Sequence, residues 1–424
     1  MTSQLPQELV NAIIDHVAHD PGSFARRQTL NACSLTCRAW LAHAQSHLFR
    51  SQWINSPAKH LLLLQTATDA RLASYVRTLH IEPIVADREP ASFGPWWLAP
   101  LRSFAQLRDV HLFNVVLAAD VPFPFGIPAP AVSTSLTQLA LWKFSAPTCR
   151  SVLALLHALP SLVHLQLERA LWYHRGALCS DQVPPLEEPN IVLRRPLLRR
   201  LSVDSYCGYG IFECLVMHLD FSQLERLSLV LHKQIDEQSK HPVINASHPV
   251  LDQLLSIARP SLQSVWLETP DMLDALLFRN AKTKFSSSKG VKLPAIQDLI
   301  FRVDLLGIHT RFDWILCTLQ DMDPSCLRTL TLILKVQCVP QLDYIDWGQL
   351  ESVLLDASFK FFSTLVIGVP PSAYYGTDLN ELALMPVSEL QEVMEERLPT
   401  LVQQHTLRVE TCTTTACTWN DLPI

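Results

Sequence analysis

The feature that most constrains this chain is a triplet of apolar residues at positions i, i+3 and i+5 that recurs along most of its length. It reads Leu107-Val110-Leu112, Leu136-Leu139-Leu141, Leu162-Leu165-Leu167, Leu198-Leu201-Val203 and Leu224-Leu227-Leu229. It continues as Leu262-Val265-Leu267, Ile296-Leu299-Phe301, Leu327-Leu330-Leu332 and Leu350-Val353-Leu355. Val76-Leu79-Ile81 reads as an earlier copy, and Thr364–Ile367 and Leu407–Val409 as degenerate late ones. Positions i+3 and i+5 are two apart, so on a strand they point to one face. Position i falls out of phase, on the turn that enters the strand. Each copy is therefore a short strand with one buried face, which only stacked neighbours can cover.

Successive i positions, from Leu107, are 29, 26, 36, 26, 38, 34, 31 and 23 residues apart. Hairpin loops need two to five residues, so these intervals suit a crossover to a parallel neighbour. Helical signals fall in the gaps. Ser247-His248-Pro249 precedes an amphipathic run with Leu251, Leu254, Leu255 and Ala258. Thr269-Pro270-Asp271 opens another, and Ser388 with Gln391 reads as a capping box before Val393, Met394 and Leu398. At 424 residues the chain exceeds one ordinary core, and one residue in six is leucine. An ordinary α/β domain with Leu-rich strands is the simpler alternative, which nine in-phase copies disfavour.

Over roughly residues 76–410 the pattern resembles leucine-rich repeats. The resemblance is partial, because the Asn or Cys usual at i+8 is replaced by Val115, Phe144, Ala170, Tyr206 and His232.

The first fifty residues differ in kind. Leu9, Ile13 and Val17 form a helical stripe after Pro6 and Glu8, which suit a first helical turn. Asp20-Pro21-Gly22-Ser23 interrupts it. A second helical pattern runs from Leu30 through Cys33 to Cys37, and a third follows Trp40 to Leu48-Phe49. Three short helices make a small core, and Leu5, Leu9, Ile14, Leu30, Leu35 and Trp40 are more apolar groups than it can enclose. Packing of this segment on the repeats is the alternative to a partner covering them.

LPQELVNAIIDHV, LNACSLTCRAW and HLF resemble an F-box, with Leu5, Pro6, Glu8, Leu9, Ile13, Val17, Cys37, Arg38 and Trp40 at matching positions. The linker is several residues longer than in the tightest members. With its closing helix Glu389–Leu398, the whole chain looks like fungal F-box proteins carrying leucine-rich repeats. The resemblance implies an α/β fold: a three-helix F-box, then an irregular solenoid with one curved parallel sheet and helices on its convex side. The expected segments are 1–52 (F-box), 53–75 (helical connector), 76–410 (repeats) and 411–424 (tail). It also implies a substrate receptor of an SCF-type cullin-RING ubiquitin ligase. The F-box would bind the Skp adaptor through Leu5, Pro6, Leu9, Ile13, Ile14, Val17, Leu30, Leu35 and Trp40. The repeats would hold an unknown target protein.

If i+3 and i+5 point inward, i+2, i+4 and i+6 point to the other face. The i+6 row reads Phe113, Trp142, Glu168, Asp204, Val230, Glu268, Arg302, Ile333 and Asp356, and Trp266 is an i+4 member. Trp142, Glu168, Asp204, Trp266, Glu268 and Arg302 are thus the candidate target surface, unless loops cover that face and bury the rings.

Other chemistry is hard to find. Glycine is scarce at 11 residues, and no phosphate-loop, nucleophile-elbow, dinucleotide or HExxH motif occurs. The expectation is no enzyme, cofactor or metal, with a motif-less enzyme and an uncoupled repeat scaffold as other readings. His43 and His47 have the i, i+4 spacing of half a metal site, but no carboxylate lies at ligand spacing beside them, so surface or packing roles are expected. Cys33 and Cys37 read as core, Cys412 and Cys417 as part of a Thr-rich end, and 280–289 as a flexible loop. A net charge of 34 − 40 = −6 disfavours nucleic acid. Eleven cysteines at irregular spacing imply no disulfide framework. Without an apolar leader or span, the expected setting is intracellular, cytoplasmic or nuclear, away from membranes.

Overall fold

The structure, a computed structural model, describes residues 5–19, 23–82, 103–114, 135–146, 159–168, 196–203, 215–230, 249–268, 292–305, 313–370 and 384–412. It also describes the short pieces 92–93, 116–117, 152–153, 155–156, 171–172, 233–235 and 242–244. The fold is α/β, with an N-terminal helical region and an open twelve-stranded parallel sheet whose strands follow chain order. The described residues through Leu198, with 215–219, form one compact unit; residues 199–203 and those from Asp220 onward form a second.

The first unit opens with helices α1 (Gln7–Ala18), α2 (Ser23–Thr36) and α3 (Arg38–Arg50). Val10, Ile14, Leu30, Cys33 and Ala44 form their core, with Val17, Trp40 and Leu48 packed against it. Strand β1 (Ser51–Ile54) follows directly, then α4 (Pro57–Thr68) and the single turn α5 (Ala70–Ala73). Ser56 caps α4 by accepting from the Lys59 amide, and Asp69 caps α5. Strands β2 (Thr78–Ile81), β3 (Asp109–Phe113), β4 (Gln138–Trp142) and β5 (His164–Glu168) pair in parallel after β1. The ladder thus starts at Ser51, across the expected boundary at residue 52. The pattern hides this strand because Gln52 occupies its i+3 slot.

The second unit carries β6 (Arg200–Val203), β7 (Arg226–Val230), β8 (Ser264–Glu268), β9 (Asp298–Asp304), β10 (Thr329–Lys335), β11 (Thr364–Val369) and β12 (Leu407–Thr411). All pair in parallel. Between strands lie α6 (Pro249–Ala258), α7 (Asp313–Asp321), α8 (Trp347–Leu354), α9 (Val387–Arg397) and α10 (Pro399–Gln403).

The repeat phase sets the register. Leu79, Val110, Leu139 and Leu165 pair in a row, as do Leu201, Leu227, Val265, Leu299, Leu330, Leu365 and Leu407. A one-residue slip would carry a strand's apolar set to the other face, so burial enforces this alignment. The entry turns are laddered as well. Many i+1 carbonyls accept from the i+1 and i+2 amides of the next copy: Arg77 from Arg108 and Asp109, Arg108 from Thr137 and Gln138, Glu225 from Gln263 and Ser264, Arg328 from Ser363 and Thr364. Backbone groups that face no solvent need such partners.

The missing Asn at i+8 has a counterpart in the first unit. Asn114 and Lys143, both at i+7, take left-handed conformations and donate to the Trp142 and Glu168 carbonyls. Two-residue strands then begin at Val116, Ser145 and Leu171, and with Ser92–Phe93 they make a second small parallel sheet. Backbone pairing there takes the place of a side-chain ladder.

Four readings need correction. Leu350-Val353-Leu355 is not a strand but lies in and just after α8, because Asp346 caps the Gln349 amide and Trp347, Leu350 and Leu354 form a helical stripe. Asp356 therefore leaves the strand row for a turn, where it accepts from the Ser358 amide. Ser388 and Gln391 form no capping box, since α9 begins at Val387 and Gln391 bonds to Glu395. Cys37 is exposed between two helices rather than in the core. The helix expected after Thr269, the 280–289 loop and Cys417 lie outside the described residues.

Candidate functional site

In the bundle, the side chains expected to meet an adaptor divide into two sets. Ile14 and Leu30 belong to the bundle's own core, so the free chain does not present them; they point inward because they share the helix face of Val10 and Cys33. Val17 and Trp40 pack on that core and are half-buried. Leu5 at 56% exposure, Leu9 at 52%, Ile13 at 42% and Leu35 at 86% face outward, and Pro6 is exposed beside them. Gln7 donates to the Ala39 carbonyl at 3.1 Å, which holds the start of α1 at the α2–α3 corner. Leu5, Leu9 and Leu35 thus gather at one end of the bundle, with Ile13 one turn further along α1. On α4, Leu61, Leu62 and Leu64 are exposed too; an unbroken run of four leucines carries no period from which the sequence could assign them a face.

On β2 to β11 the i+3 and i+5 side chains do point to one buried face, while Leu407 and Val409 on the edge strand β12 are half-buried. The other face differs between the units. In the first it is an aromatic row. Trp53 stacks on His80 at 5.0 Å, and His80 on His111 at 4.7 Å. Trp53 also stacks on Phe113 at 5.2 Å, and Phe113 lies 5.6 Å from Trp142. Trp142 is half-buried and pairs in register with Glu168, which accepts from Gln166 at 2.7 Å. The Trp142 indole N–H and Nδ1 of His80 and His111 find no hydrogen-bond partner among the described residues. Burial holds both imidazoles neutral, with His80 pushed down to about 4 and His111 to about 3, the latter also by the other histidines. The sequence reading passed over Trp53, His80 and His111. Their i+4 phase could have shown the histidines, whereas Trp53 sits on the unrecognised strand.

In the second unit Trp266 is not an open anchor. It is 4% exposed, in a small cluster with Ile300, Ile333 and Cys412. Three apolar side chains at outward positions favour a cover, and Cys412 supplies part of it by seating its thiol over Gly368, where a Cβ would collide with it. Cys412, within the segment expected as the C-terminal tail, is thus packed. Glu268 and Arg302 face each other on β8 and β9 at 3.0 Å, so they neutralise one another rather than present separate charges. Asp204 lies outside the described residues.

Folding also brings together a group that local spacing could not show. Asp15 of α1 receives hydrogen bonds from Nε2 of both His43 and His47 of α3, each at 2.8 Å. These bonds hold the Asp15 carboxyl below its usual range. Burial lowers His47, against the raising effect of Asp15.

Among the described residues no helix is long and apolar enough to cross a membrane. No protein-family model matches the chain, and no curated protein matches it.

Proposed function

We propose that this chain is a substrate-recognition subunit of an SCF-type cullin-RING ubiquitin ligase. The bundle docks on the Skp adaptor through Leu5, Leu9, Ile13 and Leu35. The repeats hold a target protein at the first unit's aromatic face, around Trp142 and Glu168. The chain performs no chemistry of its own; a ubiquitin-conjugating enzyme held elsewhere in the complex acts on the target, and this chain supplies proximity.

One observation carries the reading. The bundle fills its core with Val10, Ile14, Leu30, Cys33 and Ala44 and still exposes four large apolar side chains. Such an excess costs solubility unless a partner covers it. It falls on residues that also match the F-box pattern, Leu5, Leu9 and Ile13. At the repeat face, the half-buried Trp142 ring in register with Glu168 suits a target segment with an apolar residue and a basic neighbour.

The test is co-purification of the full chain with Skp. Truncating a buried anchor typically costs about 2 kcal/mol or more, so Leu5→Ala/Leu9→Ala/Leu35→Ala should lose Skp while the sheet stays folded. Undiminished binding would sink the proposal. Target capture is read separately: Trp142→Ala should release its target faster and leave Skp binding untouched. An unchanged target profile would move recognition to another surface.

A further inference from the structure

The geometry points to a divalent zinc-type metal site in the N-terminal bundle, made by Asp15 of α1 with His43 and His47 of α3. Adaptor docking does not require it.

His43 and His47 stand one turn apart on α3, their rings 5.1 Å apart and nearly perpendicular. Both turn Nε2 toward a single carboxylate oxygen, Asp15 Oδ1. The three donor atoms lie within 4.8 Å of one another, and this is the one such group among the described residues. Four ligands at about 2.0–2.1 Å around tetrahedral zinc sit roughly 3.3 Å apart. The two 2.8 Å hydrogen bonds therefore need to open by only about 0.5 Å for an ion to take their place.

The donor set selects the ion. Two imidazoles and one carboxylate suit zinc and its first-row neighbours, whereas calcium and magnesium prefer oxygen alone. Three protein ligands leave a fourth position, and the Asp15 side chain, 47% exposed, keeps the site within reach of solvent. His47 is only 15% exposed and His43 28%, so both rings are held by packing as well as by the carboxylate.

The site's place suggests its use. Asp15 belongs to the last turn of α1, while His43 sits in the middle of α3 and His47 in its last turn. An ion there would tie α1 to α3 in a bundle whose own core is small. At about 100° per residue Asp15 lies about 120° around α1 from Leu9, so the site occupies a different flank from the exposed apolar stripe.

The experiment uses the full chain, stripped with a chelator and titrated with zinc alone, with magnesium as the control ion. Calorimetry gives stoichiometry, and the visible spectrum of a cobalt-substituted sample reports coordination. Wild type should take up one equivalent that His43→Gln/His47→Gln lacks, and zinc should raise the melting midpoint of wild type only. The isosteric Asp15→Asn should bind at least about tenfold more weakly, the loss that even outer-shell changes cause. Should the double histidine variant lose its fold, Asp15→Asn and the wild-type melting shift decide. Equal zinc uptake and affinity in wild type and Asp15→Asn would overturn the site. So would no zinc uptake by a wild-type chain whose helices are intact by circular dichroism.

Discussion

The bundle and the repeats are built from the same leucines and isoleucines, yet they end with opposite surfaces. In the repeats, Leu139, Leu165, Leu227, Leu299 and Leu330 are all essentially buried. Each copy is covered by the copies beside it, so apolar residues can be placed at every i+3 and i+5. The bundle meets the repeat stack mainly through α3, at β1 and α5, and no copies flank it on both sides. Three helices enclose Ile14 and Leu30, then run out of interior and leave Leu9 and Leu35 in water. The difference teaches that apolar content alone does not distinguish stability from recognition; the deciding quantity is whether the fold has somewhere to put the side chain.

Four measurements break or sharpen that contrast. The largest effect should come from the repeat core. Leu299→Ala empties a fully buried site and should cost about 2–5 kcal/mol in chemical denaturation. A cost below about 1 kcal/mol would mean that the ladder is not a packed core.

Next comes pH. His80 and His111 are neutral when folded, with values near 4 and 3 against about 6.5 when unfolded. As pH falls through 6.5 the unfolded chain takes up protons that the folded chain refuses. Stability is therefore full above 6.5, declines down to about 4 for His80 and about 3 for His111, then levels. The His80 share is about 2.5 units, or roughly 3 kcal/mol at about 1.4 kcal/mol per unit. Asp109, whose carboxyl burial pushes up, works in the opposite sense and offsets part of the loss. Melting curves of wild type and His111→Phe between about pH 7 and 4 test this, and the variant should show a shallower fall.

A smaller effect is expected at Gly368, whose outward side is filled by the Cys412 thiol. Gly368→Ala should cost about 1–3 kcal/mol by overpacking, and Cys412→Ala in the same chain should recover part of it. If Gly368→Ala is neutral, the thiol is not held there. The smallest stability effect belongs to the bundle. Leu9→Ala and Leu35→Ala should each change unfolding free energy by no more than about 0.5 kcal/mol, while weakening Skp binding under the proposed function. A loss as large as that of Leu299→Ala would make these side chains structural and close the contrast between the two regions.

The sequence by itself determined the strand phase. Alternation along a strand needs only local chemistry: residues two apart share a face, so Val110 with Leu112 and Leu139 with Leu141 name their own inward side, and parallel neighbours align by burying it. The first helices were legible for a similar reason, through the Leu9-Ile13-Val17 period. Strand β1 escaped because Gln52 breaks its pattern, and the Leu350 segment misled because i, i+3 spacing serves a helix as well as an entry turn. What only the tertiary structure decided is what each outward side chain meets. Trp142 and Trp266 share the outward side, yet Trp142 joins an aromatic row while Trp266 is closed in by Cys412 from near the end of the chain. Asp15 becomes the partner of His43 and His47 only when α1 crosses α3. Parity and period fix the direction of a side chain, because they follow from backbone geometry a few residues long. Burial and convergence depend on which distant segment arrives, and that is settled only when the whole chain packs.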